Sequence, residues 1–219
     1  MLLLLEETRF RYPDGKGVGP VSFALAAGEA CLLLGPSGSG KSTLVNLIAG
    51  LLTPQAGTVL VAGEPMHALA PAARDDLRRR TTGLVFQAMR LVSALSVHAN
   101  LVLARRLSGK PADPGRIDRL LDTLGITHVA GRLPRELSQG EAQRAAIARA
   151  LVAEPRLLIA DEPTSALDDA NAEAAATLLM DSATREGAAL LVVTHDARLR
   201  TRFPRAITLG SDGRIGSAA

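Results

Sequence analysis

A chain of 219 residues and 22.8 kDa, with 47% hydrophobic and 21% charged residues, can bury one core, which excludes a disordered or fibrous protein. Aromatic residues reach only 2% and the net charge is only +3, so neither base-stacking surfaces nor a strong basic field indicates a nucleic-acid binder. The single cysteine, Cys31, excludes an internal disulfide and a zinc site built from several cysteines.

The predicted elements begin with β-strands separated by Gly and Pro residues. Residues 1–5 are expected to open a strand rather than a signal peptide, because no basic segment precedes them and two glutamates follow. The continuously apolar run 30–34 predicts a central strand buried on both faces, with Cys31 in the core. No apolar run reaches the ~18–20 residues of a membrane span. The predicted strands are 2–10, 21–25, 30–34, 58–61, 84–87, 157–160, 189–194 and 206–209, and residues 207–215 predict a terminal hairpin.

Residues 88–153 differ from the rest because they carry helical rather than strand patterns. Apolar residues recur at three- and four-residue spacings in 117–124 and 141–152. We therefore expect a single domain over 1–219, with a helical subdomain at 88–153 inserted into an α/β core of 1–87 and 154–219. Alternating strands and helices predict the α/β class with a largely parallel sheet.

Residues 35–42 read Gly-Pro-Ser-Gly-Ser-Gly-Lys-Ser and fit the phosphate-loop pattern in full. They follow the buried strand and open an apolar-periodic helix, where glycine N–H groups and the helix dipole favour phosphate binding. Lys41 would reach the β- and γ-phosphates, and the Ser42 hydroxyl would ligate Mg²⁺. A glycine-rich turn with an incidental lysine is the alternative, but eight matching positions in this context disfavour it. The cofactor-binding residues predicted here are Gly35, Pro36, Ser37, Gly38, Ser39, Gly40, Lys41, Ser42 and Thr43.

Two acids, Asp161 and Glu162, follow the predicted strand 157–160. Asp161 at the strand tip is placed to hold the Mg²⁺ shell, and Glu162 would be the general base for the attacking water. Two adjacent acids also occur in plain solvated loops. A phosphate loop in the same chain favours the catalytic interpretation.

The phosphate loop is followed by Gln87, by Leu-Ser-Gln-Gly-Glu at 137–141, by Asp161-Glu162, by Ser-Ala-Leu-Asp at 165–168 and by Thr-His-Asp at 194–196. This order of motifs resembles that of the ABC-type ATPase cassettes. Each later motif is weak alone, but six in this order are specific, and the resemblance covers essentially the whole chain. The sequence Ala-Asp-Glu-Pro-Thr at 160–164 resembles the corresponding segment of the lipoprotein-release, macrolide-export and FtsE-type subfamily.

The resemblance implies roles for four further residues. Tyr12 would stack on adenine, and Gln87 would touch Mg²⁺ or the attacking water. Asp168 would communicate across a dimer, and His195 would contact the γ-phosphate. Each has a local alternative: a surface aromatic for Tyr12, a helix cap for Asp168, and an ordinary strand-end residue for Gln87 and His195.

The signature segment at 137–141 would contact the ATP held by a second copy, through Ser138 and Gly140. It departs from the usual Leu-Ser-Gly-Gly-Gln, because Gln139 replaces a glycine and Glu141 replaces the glutamine. The spacing of Ser138 and Glu141 also predicts a capping box, and both interpretations hold together because a helix N-terminus is an anion site. A carboxylate near phosphates would weaken binding unless the cap engages it.

The resemblance further implies a phosphate-loop NTPase core, an N-terminal antiparallel β subdomain and an inserted helical subdomain. ATP and Mg²⁺ would be the cofactors, with ATP closing a head-to-tail homodimer. The partners would be integral membrane permease subunits that hold the cassette on the cytoplasmic face of the cell membrane. Apolar residues between 89 and 95 would line the groove for the permease, unless they belong to the helical core: Met89, Leu91, Val92 and Leu95.

Two other functions remain to be weighed. A soluble ABC-type ATPase acting on nucleic acid or ribosomes would carry two cassettes or long insertions, which 219 residues do not accommodate. A kinase or another phosphate-loop enzyme does not account for the signature and for His195. No nucleic-acid partner is expected.

Overall fold

The structure is a computed structural model that describes residues 1–164 and 169–216. Its strands are β1 (Leu3–Arg11), β2 (Gly17–Leu25), β3 (Ala30–Leu34), β4 (Ala56–Val61), β5 (Glu64–Pro65), β6 (Thr82–Phe86), β7 (Leu157–Asp161), β8 (Ala189–Thr194), β9 (Ala206–Leu209) and β10 (Ile215–Gly216). Its α-helices are α1 (Lys41–Ile48), α2 (Pro71–Thr81), α3 (Val97–Leu107), α4 (Pro114–Thr123), α5 (Gln139–Leu151) and α6 (Asp169–Glu186). Short 3₁₀ helices cover Thr127–Val129, Pro134–Glu136 and Ala197–Arg202.

The larger sheet has six strands in the order β10-β9-β3-β8-β7-β6. Its five strands from β9 to β6 run parallel, and only β10 is antiparallel, in the predicted terminal hairpin with β9. The carboxyl ends of parallel strands lie at one edge of a sheet, so the loops after β3, β6, β7 and β8 emerge together. The predicted α/β class is confirmed.

A separate antiparallel sheet holds β2, β1, β4 and β5 in that order. Its strand β2 begins at Gly17, so the predicted start at residue 21 is wrong. A Cβ at Gly17 would lie 2.0 Å from the Phe10 carbonyl oxygen, and one at Gly19 would lie 2.2 Å from that of Thr8. These glycines allow β1 and β2 to approach closely, although a segment with two glycines so near each other is more typical of a turn.

The six-stranded sheet is buried on both faces because its side chains alternate between two cores. Cys31 and Leu33 of β3 pack with the antiparallel sheet and α1. Leu32 and Leu34 face the helices α3 to α6. Cys31 is fully buried, as predicted, and burial raises the pKa of its thiol to about 11.

Residues 88–153 contain α3, α4, two 3₁₀ turns and α5, and no strand. Within the described ranges, no helix has both the length and the apolar character needed to cross a membrane. Helix α2, which the sequence analysis did not predict, is mostly polar, and its buried residues are Leu77 and Thr81.

A buried arginine joins α3 to the segment that precedes β7. The Arg105 guanidinium donates to the carbonyl oxygens of Val152 at 2.9 Å and Pro111 at 2.7 Å, and to Glu154 Oε1 at 3.0 Å. Lys110 Nζ donates to the other Glu154 oxygen at 3.0 Å. The hydrogen bonds from Lys110 and Arg105 lower the pKa of Glu154 to about 2, so this carboxylate is charged throughout the physiological range.

The variant Arg105→Met keeps most of the aliphatic stem and removes the guanidinium donors. Because buried carbonyl oxygens then lose their partners, we expect the free energy of unfolding to fall by about 2 kcal/mol. The control Arg119→Met breaks only an exposed 3.8 Å ion pair with Asp113, so it should change the free energy of unfolding by about 0.5 kcal/mol or less. Urea unfolding followed by circular dichroism measures both variants, and equal losses would contradict the prediction.

Candidate functional site

Three predicted site segments meet at the carboxyl edge of the parallel sheet. Leu34 of β3 pairs with Thr194 of β8, and Asp161 of β7 pairs with Val193. The backbone continues this contact beyond the strands, since Gly35 N donates to Thr194 O at 3.2 Å and Glu162 N donates to Val193 O at 2.7 Å. The phosphate loop, the two acids and the segment at His195 are therefore adjacent.

The phosphate loop depends on glycines at two crowded positions. A Cβ at Gly35 would lie 2.7 Å from both Leu209 O and Ser39 Oγ. Gly40 has φ of +97° in the left-handed region, and a Cβ there would lie 2.2 Å from Gly17 O. The loop thus packs against β9 and β2 while its tip, from Pro36 to Gly38, is exposed.

Lys41 folds back over this loop instead of extending into solvent. Its side chain is only 6% exposed, and Nζ lies 3.3 Å from Glu162 Oε1. The same ammonium donates to the carbonyl oxygens of Gly35 at 2.8 Å and Pro36 at 3.0 Å. Ser42, the next residue, is exposed, and Thr43 is buried.

The second oxygen of Glu162 accepts hydrogen bonds from the end of β8. Thr194 Oγ1 and His195 Nδ1 each lie 2.9 Å from Glu162 Oε2, and His195 N lies 3.4 Å from it. Because an ionised carboxylate can only accept, Nδ1 of the His195 ring is protonated and donates to Glu162. Glu162 has φ of 50°, a left-handed conformation that is uncommon outside glycine and concentrates at functional sites.

Two opposing effects set the pKa of Glu162. Burial favours the neutral acid, but the hydrogen bonds from His195 and Thr194 and the charge of Lys41 outweigh it, so the pKa lies below its usual value. The neighbouring Asp161 shows the reverse. Burial raises its pKa, and the hydroxyl of Ser42 only partly offsets this. The pKa values of the two adjacent acids are thus shifted in opposite directions, down for Glu162 and up for Asp161.

Three buried polar atoms at this edge have no hydrogen-bond partner in the described ranges: Asp161 Oδ1, Ser39 Oγ and Thr164 Oγ1. Buried polar groups are nearly always paired, so these atoms indicate a missing partner. A carboxylate oxygen beside the Ser42 hydroxyl matches the oxygen ligands that Mg²⁺ takes together with substrate phosphates. The residues present fit a bound magnesium nucleotide.

Gln87 and Tyr12, two further predicted site residues, are both exposed. Gln87 is exposed in the turn directly after β6, so the predicted strand end at residue 87 is wrong by one residue. Since Phe86 pairs with Asp161, Gln87 follows immediately beside the two acids. Tyr12 lies in the β1–β2 hairpin, 37% exposed, with its ring edge-to-face with Phe10 at 4.9 Å.

The predicted signature lies at the start of α5. Ser138 is its N-cap and, with Glu141, forms the predicted capping box. Ser138 and Gly140 are exposed, and in the described ranges no hydrogen bond or ion pair joins them to the phosphate loop. Asp168, predicted to bind nucleotide, lies outside the described residues.

The sequence analysis missed three residues that connect these segments. Thr194 is fully buried and donates to Glu162, although nothing in its residue type signals that role. Gln143 of α5 donates to Pro163 O at 2.9 Å, next to the two acids. Arg149, also of α5, donates to the carbonyl oxygen of Arg90 in the loop after Gln87. The spacing of Gln143 and Arg149 within α5 gave no sign of these long-range partners.

Comparisons with known proteins agree with this geometry. A profile of the family described as ABC transporter matches residues 18–165. Two dimeric structures of the cassette MJ0796, one described as a bacterial ABC transporter cassette and the other as a post-hydrolysis state bound to ADP and Pi, are 31% identical to the chain. Each covers 98% of this chain and 96% of the other, with a TM-score of 0.87.

A third similar structure is cbiO1 from Clostridium perfringens, described as part of the ABC transporter complex cbiONQ. It is 30% identical, covers 98% of this chain and 86% of the other, and has a TM-score of 0.87. The matches are consistent with the predicted subfamily of lipoprotein-release, macrolide-export and FtsE-type cassettes. The chain therefore belongs to the ABC transporter family and is an ATPase cassette of that family.

Proposed function

We propose that the chain is the ATP-hydrolysing subunit of an ABC transporter, working as a head-to-tail dimer on a separate membrane permease. The observation that carries this proposal is the arrangement of Lys41, Glu162 and His195, with contacts of 3.3 and 2.9 Å at the mouth of a phosphate loop. It combines a phosphate ligand, a general base and a residue that orients the base.

Nucleotide binding would use one chain for most contacts. The phosphates would lie on the loop N–H groups and the start of α1, with Lys41 reaching them and Tyr12 stacking on adenine. Ser42, Asp161 and Gln87 would hold Mg²⁺, which when bound offsets the charge of the phosphates. The residues proposed to contact nucleotide are Tyr12, Gly35, Pro36, Ser37, Gly38, Ser39, Gly40, Lys41, Ser42 and Thr43 of one chain, with Ser138, Gly140 and Asp168 of the second.

Glu162 is the proposed general base. Its Oε2 already accepts three hydrogen bonds, so Oε1 is the oxygen that would take the proton of the attacking water. In this structure Lys41 lies against Oε1, and it must leave to contact phosphate. The water oxygen then bonds to the γ-phosphorus as the bond to the ADP oxygen breaks. His195 Nδ1–H would keep the carboxylate oriented while the ring, 55% exposed, contacts the γ-phosphate.

A second copy is proposed because, among the described contacts, none joins Ser138 or Gly140 to the phosphate loop of the same chain. Ser138 and Gly140 are exposed at the N-terminus of α5, where backbone N–H groups favour anions. The dimeric structures of the similar cassette MJ0796 support this proposal. Within each copy, residues 1–87 and 154–219 would form the α/β core and 88–153 the helical subdomain.

The permease is proposed to bind at the junction of β6, α2 and α3. A cavity of about 410 Å³ lies there, with Leu84, Phe86 and the 43% exposed Val92 in its lining. Met89 and Leu91 instead pack against the helical core. That cbiO1 is part of a transporter complex supports this partner, which would hold the cassette at the cytoplasmic face of the cell membrane.

The variant Glu162→Gln should keep ATP binding and nearly abolish turnover, because an amide cannot accept the proton of water. We expect ATP hydrolysis to fall at least about a hundredfold, the size of a lost general base, while the closed dimer accumulates with ATP. Phosphate release and size-exclusion chromatography measure the two effects. The control Glu6→Gln changes an exposed glutamate on β1 and should hydrolyse ATP normally. Turnover at the wild-type rate in Glu162→Gln would show that Glu162 is not the general base.

Mixed dimers test whether each site is built from two chains. Lys41→Ala loses a phosphate contact and Ser138→Arg fills the anion site with a bulky side chain, so each homodimer should be inactive. In a mixed head-to-tail dimer both defects fall in one site and the other site is intact. Mixing should then restore some hydrolysis, or photo-labelling by one ATP per dimer if both sites must fill before turnover. If dimers shown to be mixed give neither restored hydrolysis nor labelling by one ATP per dimer, the head-to-tail arrangement is rejected.

The variant Val92→Asp tests the permease groove. The lining is mostly apolar, although Arg78, Arg79 and Arg149 also contribute to it. An aspartate in its exposed apolar part should prevent the cassette from retaining an integral membrane protein during purification from native membranes, while hydrolysis by the isolated cassette stays unchanged. The control Val102→Asp changes a valine of α3 that is 44% exposed and should keep the membrane protein. Recovery of nucleic acid or ribosomes in place of a membrane protein would support the soluble alternative.

A further inference from the structure

The carboxylate of Glu141 lies at the position where the signature would meet phosphate. Its Oε2 accepts hydrogen bonds from Ser138 N at 2.8 Å and Ser138 Oγ at 2.7 Å. Glu141 N in turn donates to Ser138 Oγ at 3.3 Å. The serine hydroxyl proton and one N–H of the helix start are thus engaged by a negative charge of the same chain.

A histidine holds the other oxygen of this carboxylate. His128 Nε2 lies 3.0 Å from Glu141 Oε1, and because an ionised carboxylate only accepts, Nε2 is the donor. Hydrogen bonds from Ser138 and then from His128 lower the pKa of Glu141 to about 2, so the side chain is charged at any physiological pH. Both oxygens are therefore bound within the chain.

The position of His128 is set by its neighbours. It is the middle residue of the 3₁₀ turn Thr127–Val129, and both Ile126, just before the turn, and Val129, at its end, are fully buried. Arg144 of α5 donates to Leu124 O at 3.0 Å, which ties the segment before this turn to the signature helix. The exposed imidazole is thus presented to Glu141 by an anchored backbone.

We propose that His128 is a positioning residue for the signature, which keeps the Glu141 carboxylate in the helix cap and away from the ATP of the second copy. The inference rests on the proposed head-to-tail dimer. Without His128 the carboxylate keeps its charge and its hydrogen bonds from Ser138 but loses the donor on Oε1, so it turns toward the phosphates more readily. Like charges at a shared helix N-terminus repel, so dimer closure would need more ATP.

The test measures the ATP concentration for half-maximal dimer formation, by size-exclusion chromatography, in chains that also carry Glu162→Gln so that ATP is not consumed. His128→Ala should raise this concentration roughly five- to tenfold, which lies within the net effect of one typical intramolecular hydrogen bond. His128→Gln, whose amide N–H can replace Nε2–H, should restore it to within about twofold. His98→Ala on α3 is the matched control and should have no effect.

A double-mutant cycle separates positioning from a structural role. Glu141→Gln removes the charge and should lower the required ATP concentration. In that background His128→Ala should change it by less than about twofold. In chains with an intact Glu162, His128→Ala should raise KM for ATP and leave kcat nearly unchanged, because only closure is affected.

The outcomes distinguish this inference from the proposed function. An unchanged ATP requirement in His128→Ala overturns the inference, as does an equal shift with and without the Glu141→Gln substitution, or the lack of rescue by His128→Gln. A Glu162→Gln chain that never dimerises with ATP overturns the head-to-tail dimer itself, and the inference with it. Dimer formation with no effect of His128 overturns the inference alone.

Discussion

The carboxylate of Glu162 is the interaction on which the arrangement of the site depends. One of its oxygens accepts from Thr194 and His195 at the end of β8, and the other faces Lys41 of the phosphate loop. Three segments from separate parts of the chain therefore meet at one ionised group. In the proposed function, Lys41 exchanges this carboxylate for the phosphates, so nucleotide binding itself frees the oxygen that accepts the proton of water. Binding and activation of the base become a single event.

Helix α5 connects this centre to the two surfaces that would meet other chains. The signature serine, Ser138, caps its N-terminus, Gln143 donates to the loop after Glu162, and Arg149 donates to the loop after Gln87. A helix of thirteen residues is about 20 Å long and moves as a stiff unit. Any displacement of the signature by a second copy would therefore reach Pro163, next to the base Glu162, and the loop beside the proposed permease groove through direct hydrogen bonds.

The sequence predicts those parts of the molecule that depend on local pattern. The buried strand β3, the phosphate loop and the capping box at Ser138 each follow from residues adjacent in the chain, and the structure contains all three. The first half of β2 was missed because Gly17 and Gly19 resemble a turn until the close approach of β1 is known. Contacts between distant segments leave no periodic signal, so such pairs become visible only in three dimensions.

The two positions proposed to bind phosphate have a common feature in this structure. At the phosphate loop, Lys41 is paired with the chain's own Glu162, and at the signature, Ser138 is paired with the chain's own Glu141. These two side-chain donors, Lys41 and Ser138, already have anionic partners, so ATP binding would exchange one set of charged hydrogen bonds for another. The net free energy of such an exchange is much smaller than the gross strength of the new contacts. Small changes at either carboxylate, such as the loss of His128 beside Glu141, would therefore shift the balance between open and closed dimers.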